Sequence, residues 1–265
     1  MDKMKRLEAI LPHGRGVWIP IDHGASDFPN EGLHDLHSLI QALIDAKVDV
    51  ILAHKGIVSK YAYLCQGTST HMVIHYSVST RHAGQHADHK VLVGSADETL
   101  SRGGIGVSCQ VNLGSEYESE MIHDMGMLNR DAHLLGLPAF GMVYARGPHL
   151  KPVAGDLTNG QAHAVRLAFE LGCDAAKTTW TGDEASFSLV AAAAPIPVLV
   201  AGGPASKNPI EVLTMVERAL NAGANGVCMG RQVFAHPRPS QMAKALVHMV
   251  HHGMSSEQAL EFLNE

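Results

Sequence analysis

Residues 173–183 read Cys173-Asp174-Ala175-Ala176-Lys177-Thr178-Thr179-Trp180-Thr181-Gly182-Asp183. A short apolar run ends in one lysine, and Thr181-Gly182-Asp183 marks a turn. Upstream, 159–171 carries a helical pattern that stops at Gly172; downstream, a second helical pattern fills 184–193. Glycine at that point is the usual left-handed helix stop. Helix, strand, turn and helix therefore follow in close succession, which is the repeat of a βα protein.

The same unit recurs along the chain. Strands are expected at 17–21, 48–53, 72–76, 105–111, 138–143, 174–178, 198–201 and 226–229, with helices at 33–46, 115–135, 159–171, 184–193, 210–222 and 240–252. Gly136, Gly172, Gly223 and Gly253 stand where helices should stop. Eight units in 265 residues suit a closed (β/α)8 TIM barrel of the α/β class. An open doubly wound sheet is the competing arrangement, but no G-x-G-x-x-G follows the first strand. No linker or low-complexity break divides the chain. Residues 1–265 thus read as one barrel domain, with a short capping helix at 2–11 and a helical tail at 255–264.

Composition narrows the function. The chain is 46% hydrophobic and 17% charged, as expected of a globular protein with a large core. A formal charge of −6, no basic block and 5% aromatics give no footprint for nucleic acid. No apolar run reaches membrane-span length, and the start leads into a polar-apolar helix and not a signal segment. Cys65, Cys109, Cys173 and Cys228 are widely spaced without a C-x-x-C, which reads as free thiols in a reducing cytoplasm.

In a barrel, catalytic side chains stand at the C-terminal ends of strands. Lys177 holds such a position. Its stem can be buried with the head snorkelling to water, or burial can depress its pKa and leave an amine that attacks carbonyl carbon. After strand 1, Asp22-His23-Gly24 offers either a turn cap or an acid/base. After strand 2, His54-Lys55-Gly56 is a solvated turn or a cationic wall. Tyr144, on the stave next to Lys177, is a core-edge phenol or a proton carrier. The loops after strands 7 and 8 are a barrel's usual phosphate site, and here they hold Gly202-Gly203-Pro204 and Gly230-Arg231. Arg231 would add a charge-assisted contact.

His82, His86 and His89 have spacings that a helix could turn toward a metal, but Gly84 and its polar neighbours favour a loop. No H-E-x-x-H or Cys/His pairing supports zinc, so no metal is expected. The chain also lacks a Walker-type loop and a G-x-S-x-G elbow.

Asp22-His23-Gly24, Lys177 to Asp183, Ala201 to Pro204 and Gly230-Arg231-Gln232-Val233-Phe234 together resemble the archaeal-type class I aldolases of the DeoC/FbaB superfamily. Segments 54–58, 74–80 and 111–116 are more similar to its 2-amino-3,7-dideoxy-D-threo-hept-6-ulosonate synthase branch than to its fructose-1,6-bisphosphate aldolase branch. The resemblance implies a Schiff-base aldolase or transaldolase acting on a phosphorylated sugar. Lys177 would form the covalent imine with no separate cofactor, Tyr144 would transfer protons and Asp22 would stand beside the imine. His23, Lys55, Gly202, Gly203, Gly230 and Arg231 would hold the substrate and its phosphate. The resemblance also implies a homo-oligomer. Ala145 replaces a proline common in the family, and Trp180 replaces its usual Tyr or Asn-Tyr. A sugar-phosphate-binding barrel without catalysis is the contrasting reading, and it would be favoured by loss of Lys177 or Tyr144.

Overall fold

The computed structural model describes residues 1–151, 158–206 and 208–264. Its centre is a closed ring of eight parallel strands: β1 Gly16–Pro20, β2 Val50–Ala53, β3 His71–His75, β4 Gly106–Leu113, β5 Ala139–Ala145, β6 Ala175–Thr179, β7 Val198–Ala201 and β8 Gly226–Cys228. The ring shuts where β1 pairs with β8, Gly16 opposite Gly226 and Trp18 opposite Cys228. Every strand boundary lies within two residues of the sequence expectation. The two-residue differences start β2 at Val50 and put Ala145 and Leu113 inside strands, so Tyr144 belongs to β5 itself.

Besides one-turn helices such as His23–Ser26, the helices include α1 Lys3–Ile10, α2 Leu36–Asp45, α3 Lys55–Tyr61, α4 Glu118–Leu134, α5 Thr158–Glu170, α6 Glu184–Ala191, α7 Pro209–Asn221, α8 Arg231–Phe234, α9 Pro239–His252 and α10 Ser256–Asn264. Local chemistry sets their ends. Asp35 and Asp183 cap α2 and α6 by accepting the backbone N–H of Ser38 and Ser186. Gly136, Gly172, Gly223 and Gly253 all have positive φ at or just past helix ends, the region an L side chain avoids. The crossover from β3 to β4 departs from the pattern. It holds a small antiparallel hairpin, Ser77–Val78 with Val91–Leu92, and the single turn Glu98–Ser101.

Two apolar layers hold the barrel. Trp18, Val50, Leu52, Val73, Phe140, Met142 and Leu199 fill its interior, and a larger shell lies between strands and helices. Burying each such side chain contributes roughly 1.5–3 kcal/mol. α1 plugs the N-terminal mouth: Ile10 and Leu11 join the interior, and Trp18 Nε1 donates to the Ile10 carbonyl at 2.8 Å. At the same end, side chains preceding three strands hold an N–H at or next to the start of a neighbour. Asp49 accepts from Val17 at 2.6 Å, Asp174 from Ala139 at 2.8 Å and Asn225 from Val198 at 3.1 Å. This face is built for stability, which leaves the opposite face for chemistry. Among the described residues no helix is long and apolar enough to cross a membrane.

Candidate active site

A cavity of about 430 Å³ opens at the C-terminal ends of the strands. Asp22, His23, Tyr144, Lys177, Gly202, Gly203, Gly230 and Arg231 all line it, as do Lys90, Gln110, Arg146 and Cys228. Ladder register brings the central pair together. Met142 pairs with Lys177 across β5 and β6, and Tyr144 lies two residues further along β5 on the same inward face. Lys177 is only 8% exposed, and Tyr144, Cys228 and Asp22 are the groups whose charges act on it.

The electrostatics differ from the expectation of a depressed lysine. Burial does act to lower the Lys177 pKa, but Cys228, Tyr144 and Asp22 together raise it above the ordinary lysine value. Burial pushes the Cys228 thiol up to about 11, so at neutral pH it stays protonated, and the anion facing Lys177 is Asp22. At neutral pH the Asp22 carboxylate is thus the charge that favours the ammonium form of Lys177. The sequence alone could not show this, because the compensating carboxylate comes from β1, across the barrel.

Asp22 precedes a one-turn helix yet makes no capping hydrogen bond with its side chain. Its carboxylate faces histidines instead, with His23 Nδ1 3.2 Å from Oδ1 and His75 Nε2 4.0 Å from Oδ2. Burial works against its charge, but His23, then His75 and His54, hold it well below the usual carboxylate range. Burial also drives His75 down to about 3, so that imidazole is neutral in ordinary buffers. Ser108 Oγ is 3.0 Å from its Nδ1. His54 Nδ1 donates to the His75 carbonyl at 2.8 Å.

The glycine rim has a steric basis. Gly203 has φ +66, and a Cβ on Gly230 would lie 2.4 Å from the Pro20 carbonyl oxygen and 2.7 Å from His23 Cε1. Gln232 fastens the two rim loops together: its Nε2 donates to the carbonyls of Gly202 and Pro204, and its Oε1 accepts from Ser206 N at 3.1 Å. Arg231 stands exposed at the lip.

Lys55 is a correction. It starts α3, and its Nζ pairs at 3.1 Å with Glu98, outside the cavity lining. Lys90 is the lysine that reaches the cavity in its place, from the hairpin after β3, where no local sequence signal points to it. His82, His86 and His89 do not converge. His86 and His89 flank Tyr117, with the His89 ring stacked on it at 4.2 Å and its Nε2 2.9 Å from Glu120. Among the described residues no three His, Cys, Asp or Glu side chains form a metal-sized cluster.

A buried amine beside a phenol and a carboxylate, under a glycine rim, equips this barrel for carbonyl chemistry on an anionic substrate. The DeoC/LacD family aldolase profile matches residues 17–236. The chain belongs to the DeoC/LacD family of aldolases. A 2-amino-4,5-dihydroxy-6-oxo-7-(phosphonooxy)heptanoate synthase of Streptomyces griseus is 38% identical over 93% of this chain and 89% of its own length. A 2-amino-3,7-dideoxy-D-threo-hept-6-ulosonate synthase of Archaeoglobus fulgidus is 34% identical over 99% of this chain and 96% of its own. An archaeal fructose-1,6-bisphosphate aldolase, with its catalytic lysine covalently bound to the carbinolamine intermediate, shares the fold with a TM-score of 0.81. It is 28% identical and covers 94% of this chain and 99% of that one. The chain is an enzyme of the Schiff-base aldolase class.

Proposed function

We propose that the enzyme joins the enamine of a phosphorylated ketone to an aldehyde, with Lys177 as the imine-forming residue. The observation that carries this reading is Lys177 itself, buried between Tyr144, Cys228 and Asp22 at the end of β6. The ketone phosphate sits with its phosphate against Gly202, Gly203, Gly230 and Arg231, and its carbonyl carbon at Lys177 Nζ. The Lys177 amine, its proton released to water in the cavity, adds to the ketone carbon to give a carbinolamine. Tyr144 protonates the departing oxygen, which leaves as water, and the positive iminium faces the Asp22 carboxylate. The Tyr144 phenolate left by that step takes a proton from the adjacent carbon, which gives the enamine and restores the phenol. The enamine electron pair attacks the aldehyde carbon, whose oxygen takes the Tyr144 proton. Water adds to the regenerated iminium, returns a proton to the Tyr144 phenolate and releases the ketone product and the free Lys177 amine. No separate cofactor or metal takes part, because the iminium is the electron sink.

The product for which the Streptomyces relative is named supports the choice of partners. It has a ketone next to a phosphate-bearing carbon and a hydroxyl β to that ketone, the shape of an aldol between a three-carbon ketone phosphate and an amino-acid aldehyde. The test supplies dihydroxyacetone phosphate with such an aldehyde and looks by mass for the joined product. Rapid cleavage of fructose 1,6-bisphosphate without any added acceptor, and no joined product, would make the enzyme a simple ketose-bisphosphate aldolase.

A further inference from the structure

Across the cavity from the glycine rim stands a second cationic wall. The rim lies at the ends of β7 and β8, and the ring order places β3, β4 and β5 on the far side. From there Lys90, Gln110 and Arg146 reach the same cavity, with Lys177 on β6 between the two walls. We propose that Lys90 and Arg146 form the recognition site for an anionic group, carboxylate or phosphate, on the far end of the aldehyde acceptor. The assignment rests on the imine reading above, which fixes the ketone at Lys177 and so directs the rest of the chain toward this wall.

The wall is built and held. Asn112 Oδ1 accepts from Arg146 Nε at 3.0 Å and from Gln110 Nε2 at 2.8 Å, while Asn112 Nδ2 donates to the Asp88 carbonyl at 2.7 Å. Asn112 thus ties Arg146 to the hairpin that presents Lys90. That hairpin is pinned to the barrel through Leu92 N to Asp124, and through Gln110 N to Ser77 Oγ. Lys90 Nζ donates to the neutral Ser79 hydroxyl at 2.6 Å. Among the described residues neither Lys90 nor Arg146 forms an ion pair, unlike Lys3, Lys55 and Arg102, each of which has a carboxylate within 4 Å. Burial and then the charge of Arg146 push the Lys90 pKa down, and Asp22 and Asp88 oppose that without cancelling it. An incoming anion would supply the missing counter-charge to both cations, through charge-assisted contacts.

Lys90→Gln tests this directly, with three acceptors of graded charge: glyceraldehyde, glyceraldehyde 3-phosphate and succinic semialdehyde. The variant should raise KM for at least one anionic aldehyde about 10- to 100-fold. Glyceraldehyde should shift by no more than about twofold, the ordinary scale of a neutral contact. Which anion suffers tells whether the site takes phosphate or carboxylate. Lys90→Arg should keep most of the preference for the anionic acceptor, which a merely structural lysine would not require. Trapping of dihydroxyacetone phosphate on the protein by borohydride should be equal in wild type and variant. Equal losses for charged and neutral acceptors would overturn the assignment alone. No trapped adduct in the wild-type protein would overturn the imine reading, and this assignment with it.

Discussion

His75 Nε2 lies 4.0 Å from Asp22 Oδ2, and His75 Nδ1 lies 3.0 Å from Ser108 Oγ. The arrangement suits a neutral imidazole that accepts from the serine hydroxyl at Nδ1 and turns its Nε2–H toward the carboxylate. The ring backs Asp22 without competing for its negative charge. Asp22 is then left to face Lys177.

This has a consequence for acid stability. Folding lowers the His75 pKa to about 3 from the roughly 6.5 of an unfolded chain. Between those values the unfolded state binds more protons, so this stability is present in full above about pH 6.5 and falls as pH drops toward 3. His75→Gln should flatten the decline of Tm between pH 6.5 and 4.5 relative to wild type. Parallel Tm-versus-pH curves would show that His75 is not the buried neutral group described.

Tyr144→Phe should slow both the loss of water that forms the imine at Lys177 and the later proton-transfer steps by roughly 10²–10⁴-fold, the usual range for a lost general acid/base. Single-turnover kinetics with borohydride trapping separates the two. Normal turnover would reduce Tyr144 to a wall on which Arg146 rests, its guanidinium carbon 4.5 Å from the ring centre.

Arg231→Ala should weaken phosphorylated ketones by about 10- to 100-fold and leave their dephosphorylated analogues nearly unchanged. Equal losses in kcat/KM for both would make Arg231 structural. Gly230→Ala should be harsher, because its new methyl would collide with the Pro20 carbonyl and the His23 ring.

Asp174→Ala should cost about 1–3 kcal/mol, because it strips the acceptor from Ala139 N–H and the partner from Lys3. Denaturant unfolding measures the loss. Turnover of the folded fraction should be unchanged, since this residue belongs to the barrel's opposite end.

The barrel was legible because its strands are short apolar runs closed by glycine or polar residues, and its helices stop at Gly136, Gly172, Gly223 and Gly253. Lys177, Tyr144, Asp22 and the rim residues were legible for the same reason, since each sits at or next to a strand end. Lys55 shared that position and was misleading. The chain enters a helix there, and Glu98 holds the ammonium outside the cavity. Lys90, Arg146 and Gln110 were missed because a two-strand hairpin and a longer β4 and β5 bring them in, and neither has a local signature. The direction of the Lys177 shift was also hidden. Its Ala and Thr neighbours predict depression, and only the closed ring places Asp22 opposite.

The central claim is that Lys177 forms the imine. Incubating the protein with dihydroxyacetone phosphate and borohydride, then digesting and weighing its peptides, tests it most directly. The expected result is one reduced ketone phosphate per chain on the peptide containing Lys177, and none in Lys177→Ala. An adduct on Lys90 or Lys55, or an adduct that persists in Lys177→Ala, would contradict it.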